Sequence, residues 1–88
     1  MQRKNLILII DDDPDILSSL KLTLESAGYK VASANSGESG LRMFDEIDPG
    51  LVICDIMMEK IDTGIRLVRT VREKNREVPI YLLSDIGR

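Results

Sequence analysis

The sequence predicts an α/β fold: a parallel sheet with the element order βαβαβαβ. Residues 6–10 and 51–54 are continuous apolar runs, which are typical of strands buried on both faces of a parallel sheet. Between the apolar runs lie segments in which apolar residues recur at helical spacing. Strands that alternate with helices in this way form a parallel sheet through right-handed crossover connections.

The first βα unit carries clear boundary signals. Asp11 ends the first apolar run, Asp13 can cap the next helix, and Pro14 suits the first helical position. Asp15 is favourable near the positive end of the helix dipole, and Gly28 can supply a left-handed residue that ends the helix. The residues at helical spacing predict a buried stripe: Ile16, Leu17, Leu20, Leu24 and Ala27.

The second unit has weaker signals. Residues 29–34 are predicted to form a strand, and their small side chains favour an outer position in the sheet. Ser36 is a plausible cap for a second helix, and the Asp-Pro-Gly sequence at residues 48–50 is expected to break the chain. The apolar face of this helix is predicted to contain Leu41, Phe44 and Ile47.

The last two strands flank a third helix. Residues 51–54 form the third strand and end at Asp55. Residues 57–64 are predicted to be a loop that leads into a helix marked by Ile65, Val68 and Val71. Residues 79–83 form the fourth strand.

Composition excludes several classes of function. The chain has 88 residues, which suits one domain, and its formal charge of −3 provides no field to attract nucleic acid or an anionic membrane. No apolar segment is long enough for a signal peptide or a membrane span, so we expect a cytoplasmic protein. The absence of histidine and the single cysteine, Cys54, exclude a Cys/His zinc site, a histidine-based triad and an internal disulfide.

Acidic residues come directly after the first and third strands, which are neighbours if the strand order is 2-1-3-4. Asp11 and Asp12 come after the first strand and Asp55 after the third, so their carboxylates are expected to converge at the carboxyl edge of the sheet. Because these charges repel, a hard divalent cation is the expected partner, and Mg²⁺ suits it because no calcium-loop pattern is present. An aspartate beside such an ion can attack phosphorus, and the hydroxyl of Ser84 after the fourth strand is a natural phosphoryl ligand.

Each of these residues also has a purely structural interpretation. Asp11 or Asp12 alone could be a turn residue, since aspartate is common where strands end. Asp13 and Asp15 are interpreted as cap and dipole residues, and Cys54 as a core side chain rather than a redox thiol. The combination of Asp11 and Asp12 with Asp55 favours a site that binds a cation and accepts a phosphoryl group over three separate structural roles.

Five blocks of the sequence, in order and with similar spacing, resemble the receiver domain of response regulators. The blocks are residues 7–16, 28–31, 35–38, 51–58 and 78–84. The resemblance implies an incomplete flavodoxin-like fold, which is a doubly wound parallel sheet with the strand order 2-1-3-4. It also implies that residues 1–88 are the amino-terminal part of a single receiver domain.

The family also implies a function. Asp55 would be a phosphoacceptor supplied by a sensor histidine kinase in a two-component system. Mg²⁺ would be held by Asp11 or Asp12, by Asp55 and by the backbone carbonyl of Met57, while Ser84 would turn toward the phosphoryl group. Such a domain is not an enzyme beyond slow autodephosphorylation, and its phosphorylation alters dimerisation or an output domain.

The sequence departs from the family pattern in four respects. It contains no fifth strand, and therefore neither the lysine nor the switch aromatic that the family places there. The segment from Glu59 to Gly64 looks one residue longer than the family's, and Asp85 comes after Ser84 where a small residue is usual. We expect the fourth strand to form an exposed edge that favours self-association.

Three other functions fit parts of the sequence. The first is a receiver-like interaction or dimerisation module, or a folding fragment, that takes no phosphate, as the missing lysine and Asp85 suggest. The second is a magnesium-dependent phosphohydrolase, but the step after Asp55 lacks the second carboxylate of a D-x-D motif. The third is a flavin carrier, which the repulsion between phosphate and residues 11–13 disfavours.

Overall fold

The computed structural model describes residues 3–55, 61–74 and 77–83. The elements within these residues are β1 (Arg3–Ile10), α1 (Pro14–Ser26), β2 (Lys30–Ala34), α2 (Gly37–Ile47), β3 (Pro49–Asp55), α3 (Ile61–Lys74) and β4 (Ile80–Leu83). This order confirms the predicted βαβαβαβ arrangement.

The four strands form one parallel sheet in the order β2-β1-β3-β4, as predicted. In the register of the sheet, Ile10 at the end of β1 pairs with Ala34 of β2 and with Cys54 of β3. The residue after each of these strand ends therefore lies at the same edge. This register is what brings Asp11 next to Asp55.

The end of α1 corrects the predicted start of the second strand. Gly28 has a φ of 100°, and its N–H donates to the carbonyl of Glu25 at 3.0 Å. The N–H of Tyr29 donates back to the carbonyl of Leu24 at 3.1 Å, which completes a Schellman motif. Because the backbone of Tyr29 belongs to this helix end, β2 starts at Lys30 and not at residue 29.

The break after α2 is shorter than predicted. Ser36 caps the helix as expected, since its Oγ accepts from the N–H of Ser39 at 3.1 Å. Asp48 alone reverses the chain, with a φ of 49° and its N–H donating to Phe44. The strand β3 already starts at the buried Pro49, because a proline at the first position of a strand removes no hydrogen bond that the ladder needs.

The third helix starts earlier than the sequence suggested. α3 begins at Ile61, whereas a loop was predicted through residue 64. Glycine weakens a helix interior by only about 1 kcal/mol, so Gly64 does not prevent the helix. Residues 56–60 lie outside the described part of the chain. The fourth strand starts at Ile80, one residue later than predicted, and the carbonyl of Pro79 accepts from the N–H of Val52 at 3.0 Å.

The main core lies between the sheet and the pair α2 and α3. Its buried members are Leu8, Ile10, Ala34, Phe44, Val52, Cys54, Leu67, Val71 and Val78. This core buries Phe44 of the predicted α2 face fully and Leu41 and Ile47 in part. It fixes the strand ends on which the acidic residues lie.

Helix α1 covers the other face, mainly over β2 and β1. The apolar stripe predicted for this helix is only partly buried against the sheet, and its last member, Ala27, is exposed. The prediction of a buried stripe was therefore wrong. The physical reason is that no second helix among the described residues flanks α1 on this face. None of the three described helices has the length and apolar character that crossing a bilayer requires.

Candidate functional site

Asp11, the first residue after β1, is fixed by hydrogen bonds of both its backbone and its side chain. Its N–H donates to the carbonyl of Ala34 at 3.1 Å, and its Oδ1 accepts from the N–H of Asp13 at 2.9 Å. The side chain is 1% exposed, and Oδ2 is buried without a hydrogen-bond partner among the described residues. A buried carboxylate oxygen without a partner is unfavourable, which indicates that this atom is placed for a ligand.

Asp13 is a helix cap, as predicted. Its Oδ1 accepts from the N–H groups of Asp15 at 2.9 Å and Ile16 at 3.4 Å, at the start of α1. The cap also holds the backbone of Asp13 in the conformation from which its own N–H reaches Asp11. Asp13 therefore supports the site without joining it.

The structure brings three carboxylates together. One carboxylate oxygen from each of Asp11, Asp12 and Asp55 lies within 4.8 Å of the other two. Asp12 is exposed, whereas Asp55, the last residue of β3, is 7% exposed. The predicted convergence of these three carboxylates at one edge of the sheet is therefore confirmed.

The electrostatics of the cluster oppose full ionisation. Burial raises the pKa of the Asp11 carboxyl, and the nearby charges of Asp55 and Asp12 raise it further. The hydrogen bond from the N–H of Asp13 acts in the opposite direction, because it stabilises the charged form. Without a compensating cation, the ionised cluster is therefore strained by its own charge.

The donor set fits a divalent cation with a preference for oxygen. All three side chains offer carboxylate oxygens, and one of these oxygens is buried without a hydrogen-bond partner in the described part of the chain. Mg²⁺ takes one or two protein carboxylates and completes an octahedron with water and phosphate oxygens. A cluster with one face open at the exposed Asp12 leaves room for those further ligands.

Cys54 adjoins the site but belongs to the core, as predicted. Its side chain is fully buried, and its Sγ lies 3.7 Å from the backbone oxygen of Asp55. Burial, together with the charges of Asp55 and Asp11, raises the pKa of the thiol to about 12. A thiol in this environment stays protonated and is a poor nucleophile.

Two predicted site residues, Ser84 and Met57, lie outside the described residues, as does Asp85. Two supporting features were not predicted: the hydrogen bond from Asp13 to Asp11, and the close approach of Gly40 to Ile10. The first had a signal in the sequence, since an Asx turn is common at a strand end followed by a helix cap. The second depends on tertiary packing and left no local signal.

Comparison with known proteins identifies the family. Residues 7–87 match the response regulator receiver domain. The chain belongs to this family. Its sheet order and acidic cluster are those expected for a receiver of the flavodoxin-like fold.

Several relatives are similar over almost the whole chain. The sequence is 38% identical over 87 residues to a probable transcriptional regulator, ycf27, of Guillardia theta, covering 99% of this chain and 34% of that protein. It is 40% identical over 78 residues to the transcriptional regulatory protein AfsQ1 of Streptomyces coelicolor, covering 89% of this chain and 34% of that protein. The chain thus spans about a third of the length of the curated relatives it matches.

Solved structures show the same fold. The response regulator TrrA from Thermotoga maritima, crystallised in complex with Mg²⁺-BeF, has a TM-score of 0.84 and is 33% identical, covering 99% of this chain and 72% of that one. TrrA in complex with the histidine kinase ThkA has a TM-score of 0.83 and is 34% identical, covering all of this chain and 72% of that one.

Proposed function

We propose that this receiver accepts a phosphoryl group on Asp55 from a sensor histidine kinase, with Mg²⁺ bound beside it. The observation that carries the proposal is the convergence of Asp11, Asp12 and Asp55 within 4.8 Å at the carboxyl edge of the sheet. The relatives support it, since one similar structure is a complex with Mg²⁺-BeF and another is a complex with a histidine kinase.

In the proposed reaction, a carboxylate oxygen of Asp55 attacks the phosphorus of a phosphohistidine. A P–O bond forms, the P–N bond breaks, and the electron pair leaves with the imidazole, which takes up a proton. The product is an acyl phosphate on Asp55. Mg²⁺, when bound, neutralises charge on the phosphoryl oxygens.

The residues of the chain prepare this step in different ways. Asp11, Asp12, Asp55 and the backbone carbonyl of Met57 are the proposed metal ligands, and the hydroxyl of Ser84 is the proposed phosphoryl ligand. The N–H of Asp13 fixes Oδ1 of Asp11, which leaves Oδ2 available to the metal. The low exposure of Asp55 limits access of water to the acyl phosphate, in keeping with slow autodephosphorylation and no turnover as an enzyme.

The proposal extends to the setting of the domain. We propose that residues 1–88 are the amino-terminal part of a single receiver domain, that the protein is cytoplasmic, and that phosphorylation controls an output domain. The similarity to transcriptional regulators about three times as long as this chain supports a separate output domain.

One observation favours a second candidate, an interaction module that takes no phosphate and self-associates through β4. Tyr81 on β4, an outer strand of the sheet as far as the chain is described, is 62% exposed, and its neighbour on the same face, Ile53 of β3, is only partly buried. Exposed aromatic side chains beside a strand edge suit pairing with another sheet.

Intact mass measurement separates the two candidates. The chain is incubated with Mg²⁺ and acetyl phosphate, with Asp55→Asn as the matched control. The proposal predicts one phosphoryl adduct in the parent chain, none in the variant, and none when Mg²⁺ is chelated. A parent chain that stays unmodified and has the mass of a dimer in light scattering would contradict the proposal and support the interaction module.

A further inference from the structure

Helix α2 passes unusually close to the end of β1. A Cβ atom added to Gly40 would lie 2.5 Å from Cδ1 of Ile10, 2.8 Å from Cγ1 and 3.2 Å from Cγ2. Carbon atoms in contact are normally about 3.5 to 4.0 Å apart, so the site admits no side chain. A glycine at position 40 is therefore what lets α2 lie this close to Ile10.

Ile10 cannot easily move away from such a Cβ. It is 1% exposed, and its backbone lies between Ala34 and Cys54 in the sheet. Two of the three close atoms, Cγ1 and Cγ2, branch from the same Cβ, so rotation about χ1 exchanges one contact for another. Rotation therefore leaves at least one carbon too close, and its relief requires Ile10 or α2 to shift by a few tenths of an ångström.

The first turn of α2 is itself anchored. Ser36 caps it through the N–H of Ser39, and the N–H of Gly40 donates to the carbonyl of Ser36 at 2.9 Å. Asp11, by contrast, is the residue next to Ile10, and its position depends on one backbone hydrogen bond to Ala34 and one side-chain hydrogen bond from Asp13. A displacement of Ile10 is thus passed to Asp11.

We propose that Gly40 is a positioning residue for the metal site. Because it has no side chain, Ile10 can pack directly against α2, and this position of Ile10 places Oδ2 of the adjacent Asp11 within the acidic cluster. This inference rests on the proposed function, since it assumes that the cluster binds Mg²⁺. It adds a residue that contacts neither metal nor phosphate. The pair of Gly40 and Ile10 then acts as one unit, in which a larger residue at position 40 needs a smaller one at position 10.

The test measures Mg²⁺ affinity from the increase in denaturation midpoint with Mg²⁺ concentration, which depends on binding to the folded state. Gly40→Ala is expected to weaken the affinity by about tenfold, the lower end of what disturbing the support of a metal ligand costs. The Gly40→Ala/Ile10→Ala double variant removes all three close atoms of Ile10, so it is expected to restore the affinity.

Val71→Ala is the matched control, since Val71 is a buried core residue of α3, a helix that contributes no carboxylate to the described acidic cluster. It should lower stability without Mg²⁺ but keep the affinity. If Gly40→Ala behaves like Val71→Ala, the inference is wrong. If Gly40→Ala does not fold, the double variant decides: parent-like affinity supports the inference, and weak affinity in a folded double variant contradicts it. No effect of Mg²⁺ on the parent chain overturns the proposed function and this inference together.

Discussion

Asp11→Asn is expected to stabilise the chain when Mg²⁺ is absent and to remove most of the stabilisation that Mg²⁺ provides. The variant keeps the size of the side chain and an oxygen that can accept from the N–H of Asp13, but it removes the buried charge. For oxygens that lie at most 4.8 Å apart, and with an effective dielectric constant of about 20, two carboxylates repel by about 3 kcal/mol or more. Because Asp12 is exposed and water screens part of this repulsion, the expected gain at neutral pH is about 1 to 3 kcal/mol.

The pH dependence gives the sign of the effect. The pKa of Asp11 is raised in the folded state above its ordinary value of 3.8, so the unfolded chain releases this proton first as pH rises. The parent chain therefore loses stability between pH values near 3.8 and the raised pKa, whereas the variant does not. The advantage of the variant should grow through this range and then remain constant.

Urea denaturation with and without Mg²⁺, from acidic to neutral pH, measures both effects. Asp45→Asn is the matched control, because Asp45 is an exposed carboxylate outside the cluster whose ion pair with Lys74, at 2.8 Å, is expected to be worth less than about 1 kcal/mol. A variant at Asp11 that is less stable than the parent at neutral pH without Mg²⁺ would refute the assignment of charge strain to this residue.

Three further changes test the supports of the site. Asp13→Ala removes the cap of α1 and should lower the free energy of unfolding by about 1 kcal/mol, whereas Asp13→Asn should lower it less; urea midpoints check this, and equal effects would exclude the cap. Gly28→Ala should destabilise by about 1 kcal/mol through its φ of 100° alone, because its added Cβ would meet no atom within 4 Å; an unchanged melting temperature would contradict that reasoning. Cys54, fully buried and with a pKa raised to about 12, should resist iodoacetamide at neutral pH until urea unfolds the chain, and rapid labelling of the folded chain would contradict its assignment to the core.

The meeting of Asp11 and Asp55 could be predicted from the sequence because the geometry of a parallel sheet is general. Each comes after an apolar run, and once the strands are neighbours their ends share one edge. The cap residues Asp13 and Ser36 were also predictable, since their interactions are local. Features that depend on repeating geometry or on the nearest few residues are accessible without a structure.

Features that depend on how elements pack were not accessible. The spacing of Leu17, Leu20 and Leu24 shows which side of α1 faces the sheet, but the extent of their burial depends on what flanks the helix. Tyrosine is common in strands, yet the hydrogen bond from the N–H of Tyr29 to the carbonyl of Leu24 places this residue in the helix end. The contact between Gly40 and Ile10 joins elements that are distant in sequence, and a helical glycine alone gives no indication of it.

The central claim is that Asp55 is the residue that carries the phosphoryl group. Sodium borohydride reduces an acyl phosphate to an alcohol, so treatment of the phosphorylated chain should convert the phosphorylated aspartate to homoserine, and peptide mass mapping then locates it. We expect homoserine at position 55 only when Mg²⁺ and acetyl phosphate are both present. Homoserine at position 11 or 12 instead, or none under these conditions, would contradict the claim.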